Sequence, residues 1–124
     1  MRTSICATVR VHGFHCWPEP LEAVTYLGFR HRHEFVIRVW VPVAHDDRDI
    51  EFQQLQRAIH GVLTSVYPAV TEYLPAIEYE FGAQSCESIC SVVLAGLQQG
   101  DQPIKPSRVE CWEDDENGAA LELT

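Results

Sequence analysis

Between residues 30 and 43 the chain alternates apolar and polar side chains more regularly than anywhere else along its length. His31, His33, Phe35, Ile37, Val39, Val41 and Val43 share one parity, while Arg32, Glu34, Arg38 and Pro42 share the other. Period-two alternation of this kind predicts a long strand with one buried face. It also puts two histidines on that buried face. Side chains at i and i+2 of a strand point the same way, about 6.5–7 Å apart along the backbone. Two imidazoles at that reach can converge on one ion, with Zn–N distances of about 2.0–2.1 Å. Buried without a partner, they would cost free energy. Residues 4–16 read as another strand, with Val9, Val11, Gly13 and His15 on one face and Thr8, Arg10, His12 and Phe14 on the other. Trp17-Pro18-Glu19-Pro20 ends it, because proline cannot donate to a ladder, and residues 18–29 read as a loop. Paired antiparallel across that loop, the strands bring His15 beside the start of the later one. Three neutral imidazoles and an open position make the donor set of a reactive zinc site. An H-x-H pair also occurs as ordinary core histidines.

The remaining elements follow from spacing. Asp46-Asp47-Arg48-Asp49 reads as a turn that supplies capping carboxylates. Phe52, Leu55, Ile59, Val62, Leu63 and Val66 then recur at helical spacing from Ile50 to about Val66. Pro68 stops that helix, and residues 67–84 read mostly as loop. Ser85 is the expected N-cap of a second helix from Cys86 to Leu97, closed by Gly100. Residues 107–113 and 119–123 read as two short strands joined by a polar turn, with Val109, Cys111 and Glu113 on one face. The order ββααββ predicts a single α+β domain over residues 1–124. Its layout would be a four-stranded antiparallel sheet with both helices on one face. Trp40, Trp112, Arg38 and Arg108 fall on the other face, part of which another subunit is expected to cover.

A formal charge of −9 over 124 residues argues against a phosphate backbone as partner, since that needs clustered Lys and Arg. No apolar run reaches the length of a membrane span, and no signal-peptide stretch opens the sequence. Cytoplasmic location is the expectation. The five cysteines (Cys6, Cys16, Cys86, Cys90 and Cys111) show no CxxC spacing, and free thiols are expected. Cys86 and Cys90 fall on one side of their helix, as core residues or as two soft ligands.

Five short segments, in order, resemble the 6-pyruvoyl-tetrahydropterin synthase and 6-carboxytetrahydropterin synthase family of T-fold proteins. Phe14-His15 sits where the family has its first zinc histidine, and Arg30-His31-Arg32-His33-Glu34-Phe35 resembles its H-G-H strand. Ile50-Glu51-Phe52 looks like the opening of its first helix. Gln84-Ser85-Cys86-Glu87-Ser88-Ile89 is similar to its P-T-[AS]-E-N motif, and Cys111-Trp112-Glu113-Asp114 to its late glutamate segment. The resemblance implies a T-fold, Zn2+ on His15, His31 and His33, and a pterin ring held by Glu113. Ser85 and Glu87 would line the pocket. It further implies a homo-oligomer, commonly a dimer of trimers, and a dihydroneopterin triphosphate-like substrate.

Two departures stand out. Leu27 occupies the position of the family's catalytic cysteine, and residues 66–84 contain neither the aspartate nor the histidine of its L-D-H-x-x-L-N motif. Cys16, Glu72, Glu78 and Glu80 remain as candidate proton carriers, while His60 reads as an exposed helix residue. The expectation is a zinc-binding protein that acts on or binds a pterin or purine-like ligand with altered or lost lyase chemistry. The alternative is a non-catalytic ligand-binding or structural subunit.

Overall fold

A computed structural model describes residues 1–70 and 78–123 of the chain. Two long strands, β1 (Ser4–His15) and β2 (His31–Pro42), form the centre of the sheet as an antiparallel pair. A 3-10 helix over Glu22–Gly28 lies in the connection that had read as plain loop. Helix α1 (Phe52–Val66) precedes two further strands, β3 (Ala69–Val70) and β4 (Glu78–Gly82). Helix α2 (Cys86–Gln98) and the hairpin of β5 (Arg108–Glu113) and β6 (Asn117–Glu122) complete the chain.

Among the described residues the sheet has six strands in the order β3-β4-β1-β2-β5-β6. It is mixed, because β4 runs parallel to β1 while the other pairs are antiparallel. This corrects the expected four-stranded antiparallel ββααββ layout. The physical reason lies in the segment read as loop. In Glu78-Tyr79-Glu80-Phe81 the aromatic rings enter the core, while Glu78 is buried on the other side against Arg32. A buried glutamate paired in this way disguises a strand as a polar stretch.

Both α-helices pack on one face of the sheet. Leu55, Ile59 and Leu63 of α1 and Ile89, Val93 and Leu97 of α2 meet Phe35, Ile37, Val39 and Val109 from the strands. Removing each such side chain from water contributes about 1.5–3 kcal/mol. The α1 cap is Glu51, not the aspartates before it: its carboxylate accepts from Gln53 N–H and Gln54 N–H. Asp49 instead accepts from Ala44 N–H within the turn. Ser85 caps α2 as expected, accepting from Ser88 N–H. No described helix is long and apolar enough to cross a membrane.

Candidate metal centre

The β1–β2 register decides the site. His15 lies directly opposite His31, and Gly13 opposite His33. All four positions share the helix-covered face. A Cβ on Gly13 would lie 2.2 Å from the Phe81 ring, so glycine here lets Phe81 pack under the histidines against Phe35, with ring centroids 4.7 Å apart. The three imidazole centroids stand 4.6, 4.9 and 5.2 Å from one another. Their ligand nitrogens all lie within 4.8 Å of each other, a group that can hold a metal ion.

Each imidazole is oriented through Nδ1. His15 Nδ1 donates to the Gln84 carbonyl at 2.9 Å, and His31 Nδ1 to the Phe29 carbonyl at 2.8 Å. His33 Nδ1 donates to Asp114 Oδ2 at 2.6 Å. An N–H on Nδ1 leaves the Nε2 lone pair free, which is how metal-binding histidines are commonly held. The three anchors come from separate places. Gln84 is delivered by the turn between β4 and α2, whose Gly82 has a φ of 63°. Phe29 follows the 3-10 helix. Asp114 begins the β5–β6 turn at φ 53° and also accepts from Glu34 N–H at 2.9 Å.

Glu113 faces the histidines from β5, opposite Phe35 in the ladder. Its Oε1 is 3.4 Å from His15 Nε2 and its Oε2 is 3.4 Å from His33 Nε2. His33 Nε2 is buried with no hydrogen-bond partner among the described residues. Lone-pair nitrogens facing carboxylate oxygens call for positive charge between them. Burial lowers the His15 pKa despite the Gln84 hydrogen bond and the Glu113 charge, so a proton on that ring is a poor answer. A divalent cation fits the donor set.

A cavity of about 510 Å³ opens beside these groups, with His15, His31 and Glu113 in its wall. That volume is within the range of small-molecule pockets. Ser85 and Glu87, at the start of α2, line it as well, and so do Trp17 and Leu27. The candidate proton carriers separate cleanly. Cys16 lines the cavity. Glu78 and Glu80 face the other side of the sheet, paired with Arg32 and Arg30, and Glu72 lies outside the described residues. His60 is exposed on α1.

Two residues were not picked out from the sequence. Asp114 had read as part of a solvated turn, and only the proximity of β5 to β2 brings it to His33. Cys86 had read as a core residue or soft ligand. It is buried, yet it lines the cavity and its Sγ donates to Glu113 Oε1 at 3.6 Å. Its neighbours Cys90 and Cys111 lie deeper. Burial pushes the Cys90 thiol up to about 12. The Cys111 thiol is raised by its hydrogen bond with Cys86 and by burial. All five cysteines are free.

No protein-family model matches the sequence, and no curated protein does either. Among solved structures, the uncharacterized protein WS1659 from Wolinella succinogenes aligns over 100% of this chain and 99% of its own, with a TM-score of 0.68 at 15% identity. The 6-pyruvoyl tetrahydropterin synthase of Caenorhabditis elegans aligns over 100% of this chain and 97% of its own, with a TM-score of 0.65 at 11% identity. At these identities the likeness is one of fold: the chain has a 6-pyruvoyl tetrahydropterin synthase-like fold.

Proposed function

We propose that this protein binds zinc through His15, His31 and His33 and holds a pterin or purine-like ring in the adjoining cavity. The observation that carries the reading is the anchored imidazole trio, with Glu113 facing the Nε2 atoms of His15 and His33. The match in fold to a tetrahydropterin synthase supports it. Bound zinc supplies Lewis acidity toward a ligand hydroxyl or carbonyl. The chain's own groups do the rest. Glu113 offers two acceptor oxygens side by side to the amino and ring N–H edge of the ligand. Ser85 and Glu87 line the same pocket, and Trp17 and Leu27 give it apolar surface. Cys86, donating to Glu113, and Cys16 are the thiols within the cavity wall able to carry a proton.

A second reading keeps the zinc and the pocket but has no turnover. It is favoured by Leu27, an apolar side chain in the cavity at the position where the resembling family has its catalytic cysteine. We also propose a homo-oligomer in a reducing, cytoplasmic setting. The free thiols support the setting, and the unpaired outer edge of β6 among the described strands supports the assembly.

Native mass spectrometry tests the reading. Purified protein should carry stoichiometric zinc, retain a subunit partner, and show a mass increment on adding dihydroneopterin. His31→Ala combined with His33→Ala should remain folded by circular dichroism and lose the metal. Wild-type protein that stays metal-free in excess zinc would overturn the proposal.

A further inference from the structure

Gln84 is tied to the metal centre by its backbone and to the core by its side chain. Its carbonyl accepts from His15 Nδ1 at 2.9 Å. Its Oε1 accepts from the hydroxyl of Tyr67, the C-cap residue of α1. Tyr67 is buried, and its ring meets Phe81 edge-on with centroids 4.7 Å apart. Burial raises the Tyr67 pKa, so the hydroxyl stays protonated and available as a donor. The oxygen and nitrogen of a primary amide diverge from one carbon, so aiming Oε1 at Tyr67 also fixes the direction of Nε2. Nε2 makes no hydrogen bond among the described residues. Yet it is not one of their buried polar atoms left without a partner, which are His33 Nε2 and Glu78 Oε2. It is therefore open to solvent, and the space that Gln84 lines is the cavity beside the histidines. Anchoring His15 by a backbone carbonyl needs no particular side chain at this position. The bond from Tyr67 is what singles out the amide.

Glu113 stands on the other side of the same imidazole, with Oε1 3.4 Å from His15 Nε2. The cavity wall thus carries a pair of acceptors on one side of His15 and an oriented donor on the other. We infer that Gln84 donates through Nε2 to a ring carbonyl of the ligand, next to the N–H groups taken by Glu113, and that Tyr67 is its positioning residue. The ligand class is then an amino-oxo heterocycle, whose edge presents two N–H groups and a C=O in a row. This rests on the pterin reading above and deepens it. Glu113 alone reads only N–H groups, and Gln84 adds the ring oxygen.

The test is calorimetric titration of the zinc-loaded protein, in its native assembly, with pterin and separately with its thioxo analogue, checking zinc content after each run. The analogue keeps both N–H groups and replaces the ring carbonyl oxygen by sulfur, a weak acceptor. Pterin should bind about three- to tenfold more tightly, the span of one neutral hydrogen bond. Gln84→Leu keeps the backbone carbonyl for His15 and should remove the preference by weakening pterin alone. Tyr67→Phe keeps the ring packing, frees the amide to turn, and should reduce the preference with zinc content unchanged. Equal binding of the two compounds by the wild type, or a preference that survives in both variants, overturns the inference and leaves the pterin reading standing. Failure of both compounds to bind overturns the pterin reading and this inference with it.

Discussion

Asp114 holds His33 by Nδ1 and the β2 backbone at Glu34 N–H with the same carboxylate. Both contacts favour its ionised form and keep its pKa below the usual carboxylate value. Asp114→Asn preserves the shape and removes the charge that strengthens His33 as a donor. Zinc affinity should fall about 10–100-fold, the usual effect of losing a partner to a metal-binding histidine. Competition with a chromogenic chelator measures it, and unchanged affinity would separate Asp114 from the metal centre. The histidines themselves were legible in the sequence, since strand parity alone places His15, His31 and His33 on the core side. Asp114 was not. Its value comes from a turn with positive φ at Asp114 and Asp115, and any acid in a hairpin turn reads as solvated.

At the scale of elements, the two helices approach each other closely at Gly96. A Cβ on Gly96 would meet Val62 Cγ1 at 2.5 Å, Cγ2 at 2.7 Å and Cβ at 3.1 Å. A branched side chain cannot rotate away from all three contacts. Gly96→Ala gains helix propensity of up to about 1 kcal/mol. Overpacking should exceed that gain, with a cost of about 1–3 kcal/mol. Urea denaturation should therefore show a net loss of stability, and a more stable variant would mean that α1 and α2 separate easily. Both α-helices and the strands β1, β2, β5 and β6 were readable from periodicity, because each has a face with a clear period. β4 was missed for a specific reason. Its Tyr79 and Phe81 alternate correctly, but five residues carrying two glutamates resemble a loop until Arg30 and Arg32 are seen to neutralise them. The role of Glu51 as cap was hidden by the four-residue charge cluster just before it.

Across the whole molecule, pH acts through groups set by tertiary contacts. His15 has its folded pKa lowered from 6.5 by burial. Its contribution is therefore present above the unfolded value and is lost as pH falls through the folded one. Asp114 and Asp115 are lowered from 3.8 by hydrogen bonds to His33 and Arg10 respectively. Their contributions persist above 3.8 and disappear below it. Metal-free protein should thus lose stability in two stages on acidification, first below pH 6.5 and again below 3.8. Urea titrations across that range measure the slopes. His15→Asn should flatten the first stage and keep the second, and a parallel profile in the variant would rule out His15 as its source.

The sequence alone determined the long central strands, the α-helices, the side of the sheet on which the histidines lie, and the candidate acid Glu113. Periodicity records which face is buried, and burial is what local patterns encode. The tertiary structure decided the rest. It aligned His15 with His31, added β4 as a parallel neighbour, and brought Gln84, Phe29 and Asp114 to the three Nδ1 atoms. It also turned Arg30 and Arg32 away from the cavity while admitting Cys86 to its wall. Those outcomes depend on which distant segments meet and at what register, and the spacing of residues along one strand carries no record of its neighbours.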